Sequence, residues 1–191
     1  MRKALLIIMA LLLLTGASIV GCAAPPTKPE VGLQTPKVEL ARVEVAGYFP
    51  YAPPPTRVPL VLAFIFTINN SNDFKVMLED MKFTVSFEAA PGEYFALITP
   101  MVYENMYIPP KTTNQLRVVA VLDSAVAPGT LALTSGHRLL ALGLKPPDVV
   151  KTWWENIGDF AFGIKVTEGT ASFTSDQGST LATFEGQFPK K

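Results

Sequence analysis

The stretch Phe64-Ile65-Phe66-Thr67-Ile68-Asn69-Asn70-Ser71-Asn72-Asp73-Phe74-Lys75-Val76-Met77-Leu78-Glu79-Asp80-Met81-Lys82-Phe83-Thr84-Val85 decides the fold class of this chain. Its first part belongs to residues 58–68 (VPLVLAFIFTI), which are nearly continuous in apolar, β-branched and aromatic character. Such a run suits a strand covered on both faces, or one central to a sandwich. Residues 69–73 (NNSND) form a turn by composition, because Asn and Asp bond their own backbone and tolerate left-handed conformations. Beyond the turn, Met81, Phe83, Val85 and Phe87 alternate with Lys82, Thr84, Ser86 and Glu88, the period of a half-buried strand. Strand, short turn and strand, without a helical crossover, is an antiparallel grammar.

Working outward, the same grammar continues. Upstream, Val38, Leu40, Val43 and Val45 alternate with charged residues, and the parity slips near Ala41-Arg42, as a β-bulge would make it do. Residues 47–56 (GYFPYAPPPT) are a proline-dense connection. Downstream, Pro91-Gly92 turns the chain into residues 94–99, and further strands are expected at 105–108, 115–123, 160–167, 171–174 and 181–188, with Asp176-Gln177-Gly178 as a hairpin turn. One interval breaks the pattern. Leu139, Leu140, Gly143 and Leu144 sit at helical spacing, and Val149, Val150, Trp153, Trp154 and Ile157 repeat it after Pro146-Pro147-Asp148, with Gly158 placed as a helix stop. The expected fold is therefore all-β, an antiparallel β-sandwich over residues 37–191 with a minor helical insertion near 137–157.

The N-terminus is of another kind. Arg2-Lys3 precede the apolar run 4–14 (ALLIIMALLLL), a basic region followed by a hydrophobic one of signal-peptide length. Ile19-Val20-Gly21-Cys22 then resembles the lipobox of bacterial lipoprotein precursors. That resemblance implies cleavage of residues 1–21, diacylglyceryl attachment to the Cys22 sulfur and acylation of the new amino terminus. Two or more acyl chains anchor stably where one does so marginally. The competing readings are an uncleaved signal anchor and an ordinary secretory signal. Residues 22–36, rich in Pro, Thr and small side chains, read as an extended linker from lipid to domain. The expected location is the outer side of the bacterial cytoplasmic membrane, or the outer membrane.

Composition excludes several functions. The chain has 16 basic and 16 acidic side chains, one Cys and one His. A balance this even lacks the basic footprint of nucleic-acid binding. One Cys forms no internal disulfide, and with one His it makes no zinc site. No cofactor is implied.

The order of elements from Phe64 to Val85 resembles the late-embryogenesis-abundant type 2 domain, also called the water-stress and hypersensitive-response domain. That family has a hydrophobic strand ending in Asn-Pro-Asn, then a segment leading into an alternating strand. Here Asn70 and Asn72 take the two Asn positions and Ser71 stands where the family has Pro. The helical interval, followed by residues 163–166, a strand start centred on Gly169 and a closing hairpin 178–188, also agrees. The resemblance implies an immunoglobulin-like or fibronectin-like β-sandwich and a non-enzymatic role in desiccation or stress tolerance, or in scaffolding at membranes.

Candidate chemistry is sparse. Ser135-Gly136-His137 has no Gly-x-Ser-x-Gly elbow, so His137 is read as a surface or capping residue. Glu79 and Asp80 are adjacent and would point to opposite faces of a strand, and with the scattered Glu88, Glu93 and Glu104 they read as solvated turn carboxylates rather than an acid/base pair. Asn69-Asn70-Ser71 is formally a glycosylation sequon but reads as a turn. Trp153 and Trp154 lie about 100° apart on a helix. One is expected to pack on the end of the sandwich and the other to be partly exposed, as a helix cap or as a partner-binding anchor. Two functions follow: a tethered stress-protective or structural sandwich, or a module that binds an envelope protein or lipid through the Trp153/Trp154 helix or a sheet edge.

Overall fold

The computed structural model describes residues 32–189, so the signal segment, Cys22 and the linker through residue 31 lie outside the described residues. Among the described residues the order is β1 (Lys37–Tyr48), β2 (Pro59–Asn70), β3 (Val76–Ala90), β4 (Glu93–Ile98), β5 (Met101–Ile108), β6 (Thr112–Asp123), α1 (Ala127–Ala141), α2 (Pro146–Asn156), a 3-10 turn (Ile157–Asp159), β7 (Ile164–Ser175) and β8 (Gly178–Phe188). All pairings are antiparallel. One sheet runs β1-β2-β6, the other β4-β3-β7-β8. On β3, β5 pairs the half from Val76 to Lys82 and β4 the half from Val85 to Ala90, while β7 covers the opposite edge.

The two sheets close on one core. Leu60, Leu62, Phe64, Phe66 and Ile68 of β2 are all buried, one residue in two, as the pleat requires. Phe83 of β3 meets Phe66 edge-on at 4.9 Å between ring centres and Phe64 at 5.4 Å, and Phe66 meets Phe184 of β8 at 5.3 Å. Each such pair adds about 0.5–1.5 kcal/mol beyond its buried area, and these pairs bridge the sheets. The fold is thus a two-layer antiparallel β-sandwich with a helical insertion, the architecture that immunoglobulin and fibronectin domains share.

Bulges set the details. The register of β1 against β2 shifts between Leu40 and Arg42, where the parity slip in the sequence pointed to a bulge. In β7 the shift falls between Val166 and Gly169, and the two short strands expected at 160–167 and 171–174 are one continuous strand that begins only at Ile164, with 160–163 outside it. Gly169 lies within that strand. A Cβ there would come within 2.5 Å of the Phe184 ring and carbonyl oxygen, so the close packing needs glycine.

The helical insertion begins at Ala127, not near 137. Its inward row is Ala127, Leu131 and Leu139, four and eight residues apart, and the residues between include the poor helix formers Gly129, Thr130, Thr134, Ser135 and Gly136. Helical periodicity therefore shows in the sequence only at the end of α1. Asp123 Oδ1 accepts the Ala125 N–H at 2.8 Å and braces the turn into α1. No helix among the described residues is long and apolar enough to cross a membrane.

Candidate functional site

The two ends of the sandwich differ in construction. At one end Asn70 and Asn72 are almost fully buried. The Asn70 amide donates to the carbonyls of Phe74 (2.9 Å), Ile108 (3.1 Å) and Pro109 (3.0 Å). Its Oδ1 accepts the backbone N–H (3.0 Å) and side-chain amide (2.9 Å) of Asn72. Asn72 in turn grips Gln34, accepting its N–H and donating to its carbonyl, both at 2.8 Å. Lys111, held at φ 53°, donates through its backbone N–H to Asn72 O (3.1 Å) and through Nζ to Ser71 O (2.7 Å). Ser71 itself is exposed and reaches Gln34 Oε1 at 3.0 Å.

The motif residues Asn70, Ser71 and Asn72 are therefore a clamp between the β2–β3 turn, the β5–β6 turn and the incoming chain. The last part of the expected linker, 22–36, is correspondingly part of the domain. Pro36 is buried, Leu33 packs on the core and Thr35 Oγ1 meets Thr180 Oγ1 at 2.6 Å. A backbone gripped by a buried amide cannot behave as a free spacer.

At the other end α2 closes the sandwich. Val149, Val150, Trp153, Trp154 and Ile157 are all buried. The expectation that one tryptophan would be partly exposed is corrected, and with it the use of Trp153 or Trp154 as an exposed anchor. The helix lies in a corner, against α1, the 3-10 turn and β3, so two adjacent directions are covered. Trp153 packs edge-on against Phe87 at 5.4 Å and beside Phe162 at 6.3 Å, and its indole N–H donates to Glu88 O at 2.7 Å. The Trp154 indole N–H has no acceptor among the described residues.

Glu88 fastens this end, which corrects its reading as a solvated turn carboxylate. Its carboxylate accepts the N–H of Gly92 (2.7 Å) and of Gly163 (2.9 Å), and its own N–H donates to Gly163 O (2.9 Å). Burial, then the neighbouring Glu88 charge, pushes the Tyr94 phenol above its ordinary pKa. A Cβ on Gly163 would overlap the Tyr94 hydroxyl and lie 2.8 Å from Glu88 Oε2, so a larger residue there would displace the ends of both side chains and disturb the clasp. Beside this clasp opens a cleft of ≈ 500 Å³, with Leu144, Val149, Trp153 and Phe162 below and Lys145 and Asp148 at its rim.

The remaining candidates do not converge. His137 lies inside α1, exposed, and so caps nothing. Glu79 sits in a bulge of β3, and both Glu79 and Asp80 fall between the inward-facing Leu78 and Met81, so neither enters the core. This replaces the opposite-face geometry of a regular strand. Glu79 accepts the Thr174 hydroxyl at 3.0 Å. Among the described residues no group of three His, Cys, Asp or Glu side chains is placed to hold a metal ion. One long side of the sandwich is open. Among the described residues β6 pairs only with β2, and between it and β4–β5 runs a groove of ≈ 400 Å³ lined by Ile98, Pro100, Met101, Val102, Val119 and Val121, with no charged residue.

No protein-family profile and no curated protein sequence matches the chain. Among solved structures it is similar to the Northeast Structural Genomics Consortium target SoR45, with TM-score 0.43 and 17% identity over 82% of this chain and 87% of that one. It is also similar to a protein from Archaeoglobus fulgidus, with TM-score 0.37 and 10% identity over 83% of this chain and 98% of that one. A third likeness is the ApaA protein from Bordetella pertussis, with TM-score 0.36 and 8% identity over 83% and 99% of the two chains. Likenesses this distant carry no functional argument, and the reading below rests on residues and geometry.

Proposed function

We propose that this chain is an exported bacterial lipoprotein, tethered through lipid on Cys22, whose sandwich of the late-embryogenesis-abundant type 2 kind works without catalysis as a protective or structural element of the cell envelope. The observation that carries this reading is the clamp. Asn72 holds Gln34 by two bonds at the end of the sandwich where the chain comes in, while the helices cap the opposite end. β3 alone spans 15 residues between those ends, about 50 Å at ~3.3 Å per residue. A domain gripped at its point of attachment and sealed at the far end suits a load-bearing, stalked module. The polar side chains also support a structural role. Asn70, Asn72 and Glu88 are committed to backbone groups that join separate segments.

The test is survival of drying. A deletion strain should lose survival, wild-type chain should restore it, and a Cys22→Ser form should not. Equal survival of deletion and parent strains would contradict the protective reading.

The second reading, an envelope interaction module, is favoured by one observation: the uncharged groove beside the unpaired edge of β6, where Val119 and Val121 are exposed. A free edge flanked by apolar side chains is what strand addition by a partner uses. A partner that co-purifies with the wild-type chain and is lost with Val121→Lys supports this module. Equal recovery with both chains contradicts it.

A further inference from the structure

The outward face of α1 is built for a close helix–helix contact that the monomer does not make. Val126, at the N-cap, and then Gly129, Leu133, Gly136 and Leu140 step by three, four, three and four residues, the seam of a seven-residue repeat. Leu133 is 90% exposed and Leu140 77%, while Ala127, Leu131 and Leu139 face inward. Leucines on the solvent side of an amphipathic helix call for an occupant.

The glycines identify its shape. Each glycine in a helix interior costs about 1 kcal/mol relative to alanine. The monomer gives no reason for either one. A Cβ at Gly129 or Gly136 would meet nothing within 4 Å, and neither has the positive φ that favours glycine. Small residues on a helix face let a second backbone approach closely. Large and small positions alternate along this seam, so the face is complementary to itself. In an antiparallel pair centred between Thr134 and Ser135, Leu133 sits over Gly136 of the second copy and Leu140 over Gly129.

The charges permit this pairing. Arg138 is the one Lys or Arg in α1, and α1 has no acid. Its guanidinium is taken up by Glu93 and lies over the Phe95 ring at 4.5 Å. A lipid surface fits the face less well, because membrane-lying helices carry Lys and Arg along the polar side and bulky apolar residues on the other. We propose that α1 is a self-association helix that docks, antiparallel, on the same face of a second copy of this chain. A contact of this size falls below the ~1,200–2,000 Å² typical of stable complexes, so it is weak in free solution. If the chain is anchored through Cys22 as proposed above, confinement to a membrane raises the local concentration and strengthens it.

The test is crosslinking of the full chain in cells with a short bismaleimide, scored by peptide mapping of the crosslink between residues 133 and 136, so that any crosslink through Cys22 is not counted. A chain with Leu133→Cys, co-expressed with one carrying Gly136→Cys, should give heterodimer far above the parent chain, and Thr134→Cys should stay at background. In the Leu133→Cys and Gly136→Cys pair, adding Gly129→Ala to both chains should reduce crosslinking several-fold while raising the melting temperature of the isolated chain. No crosslink above background, equal yield at Thr134, or undiminished yield with Gly129→Ala would overturn the proposal. So would a Leu133→Lys chain that loses vesicle binding while still crosslinking elsewhere, which would assign the face to lipid. Failure of lipid attachment at Cys22 would lower the crosslinking yield but leave its preference for positions 133 and 136 over 134, so the two readings fail separately.

Discussion

At the scale of single residues, stability concentrates in a few buried polar groups. Asn70 satisfies three carbonyls and holds Asn72 in place, so Asn70→Ala strands several buried partners at about 1–3 kcal/mol each. The expected loss is at least about 3 kcal/mol in urea unfolding, whereas Ser71→Ala, on the exposed residue between the two Asn, should change stability by less than about 0.5 kcal/mol. The tryptophans give a second contrast. Trp153→Phe and Trp154→Phe remove the same atoms from buried sites, but among the described residues only Trp153 has an acceptor for its indole N–H. Trp153→Phe should therefore cost about 1–2 kcal/mol more by thermal melting; equal costs would contradict the Glu88 bond. The Asn positions were legible in the sequence because they fall in a short turn between two unmistakable strands. Glu88 was not, because its partners Gly92 and Gly163 come from two different segments and lie on no shared period. The tryptophans were misjudged because helical spacing gives directions but not how many of them the fold covers.

At the scale of elements, the strands followed the rules and α1 did not. Alternation placed β3, and the slip at Ala41 placed the bulge in β1. In α1 the exposed positions carry leucines, so apolar periodicity pointed only to its end. The junction of β6 and α1 makes a prediction about pH. The Arg57 guanidinium, donating to Asp123 at 2.7 Å, holds that carboxyl below its ordinary value of 3.8, with the Ala125 N–H assisting. A depressed pKa in the folded state contributes stability above the unfolded value, and that contribution is lost as pH falls through the folded one. Arg57→Ala should thus shift the acid unfolding midpoint upward, by a small amount because the Arg57 side chain is largely exposed to solvent. The stability difference between the two chains, small throughout, should be greatest at neutral pH and vanish as pH falls below the folded value of Asp123. An unchanged acid midpoint would show that the pair contributes nothing to folding.

At the scale of the whole molecule, alternation and turn chemistry predicted a two-sheet antiparallel sandwich, and the ring contacts among Phe64, Phe66, Phe83 and Phe184 are what join the sheets. The boundary was harder to read. Residues 32–36 look like linker by composition, because the amide that grips them lies far away in sequence, at Asn72. A chain beginning at Gly32 should therefore melt like the longer one, and a chain beginning at Lys37 should lose about 2 kcal/mol or more, from the orphaned Asn72 amide and the uncovered Leu33 contact. The central claim is a sandwich held to a membrane by lipid at its N-terminal side. Its most direct test is the intact mass of the protein extracted from bacterial membranes. The account predicts a chain beginning at Cys22 and heavier than its sequence by a diacylglyceryl group and an N-terminal acyl chain. A chain that still begins at Met1, or one cut elsewhere with an unmodified Cys22, would contradict it.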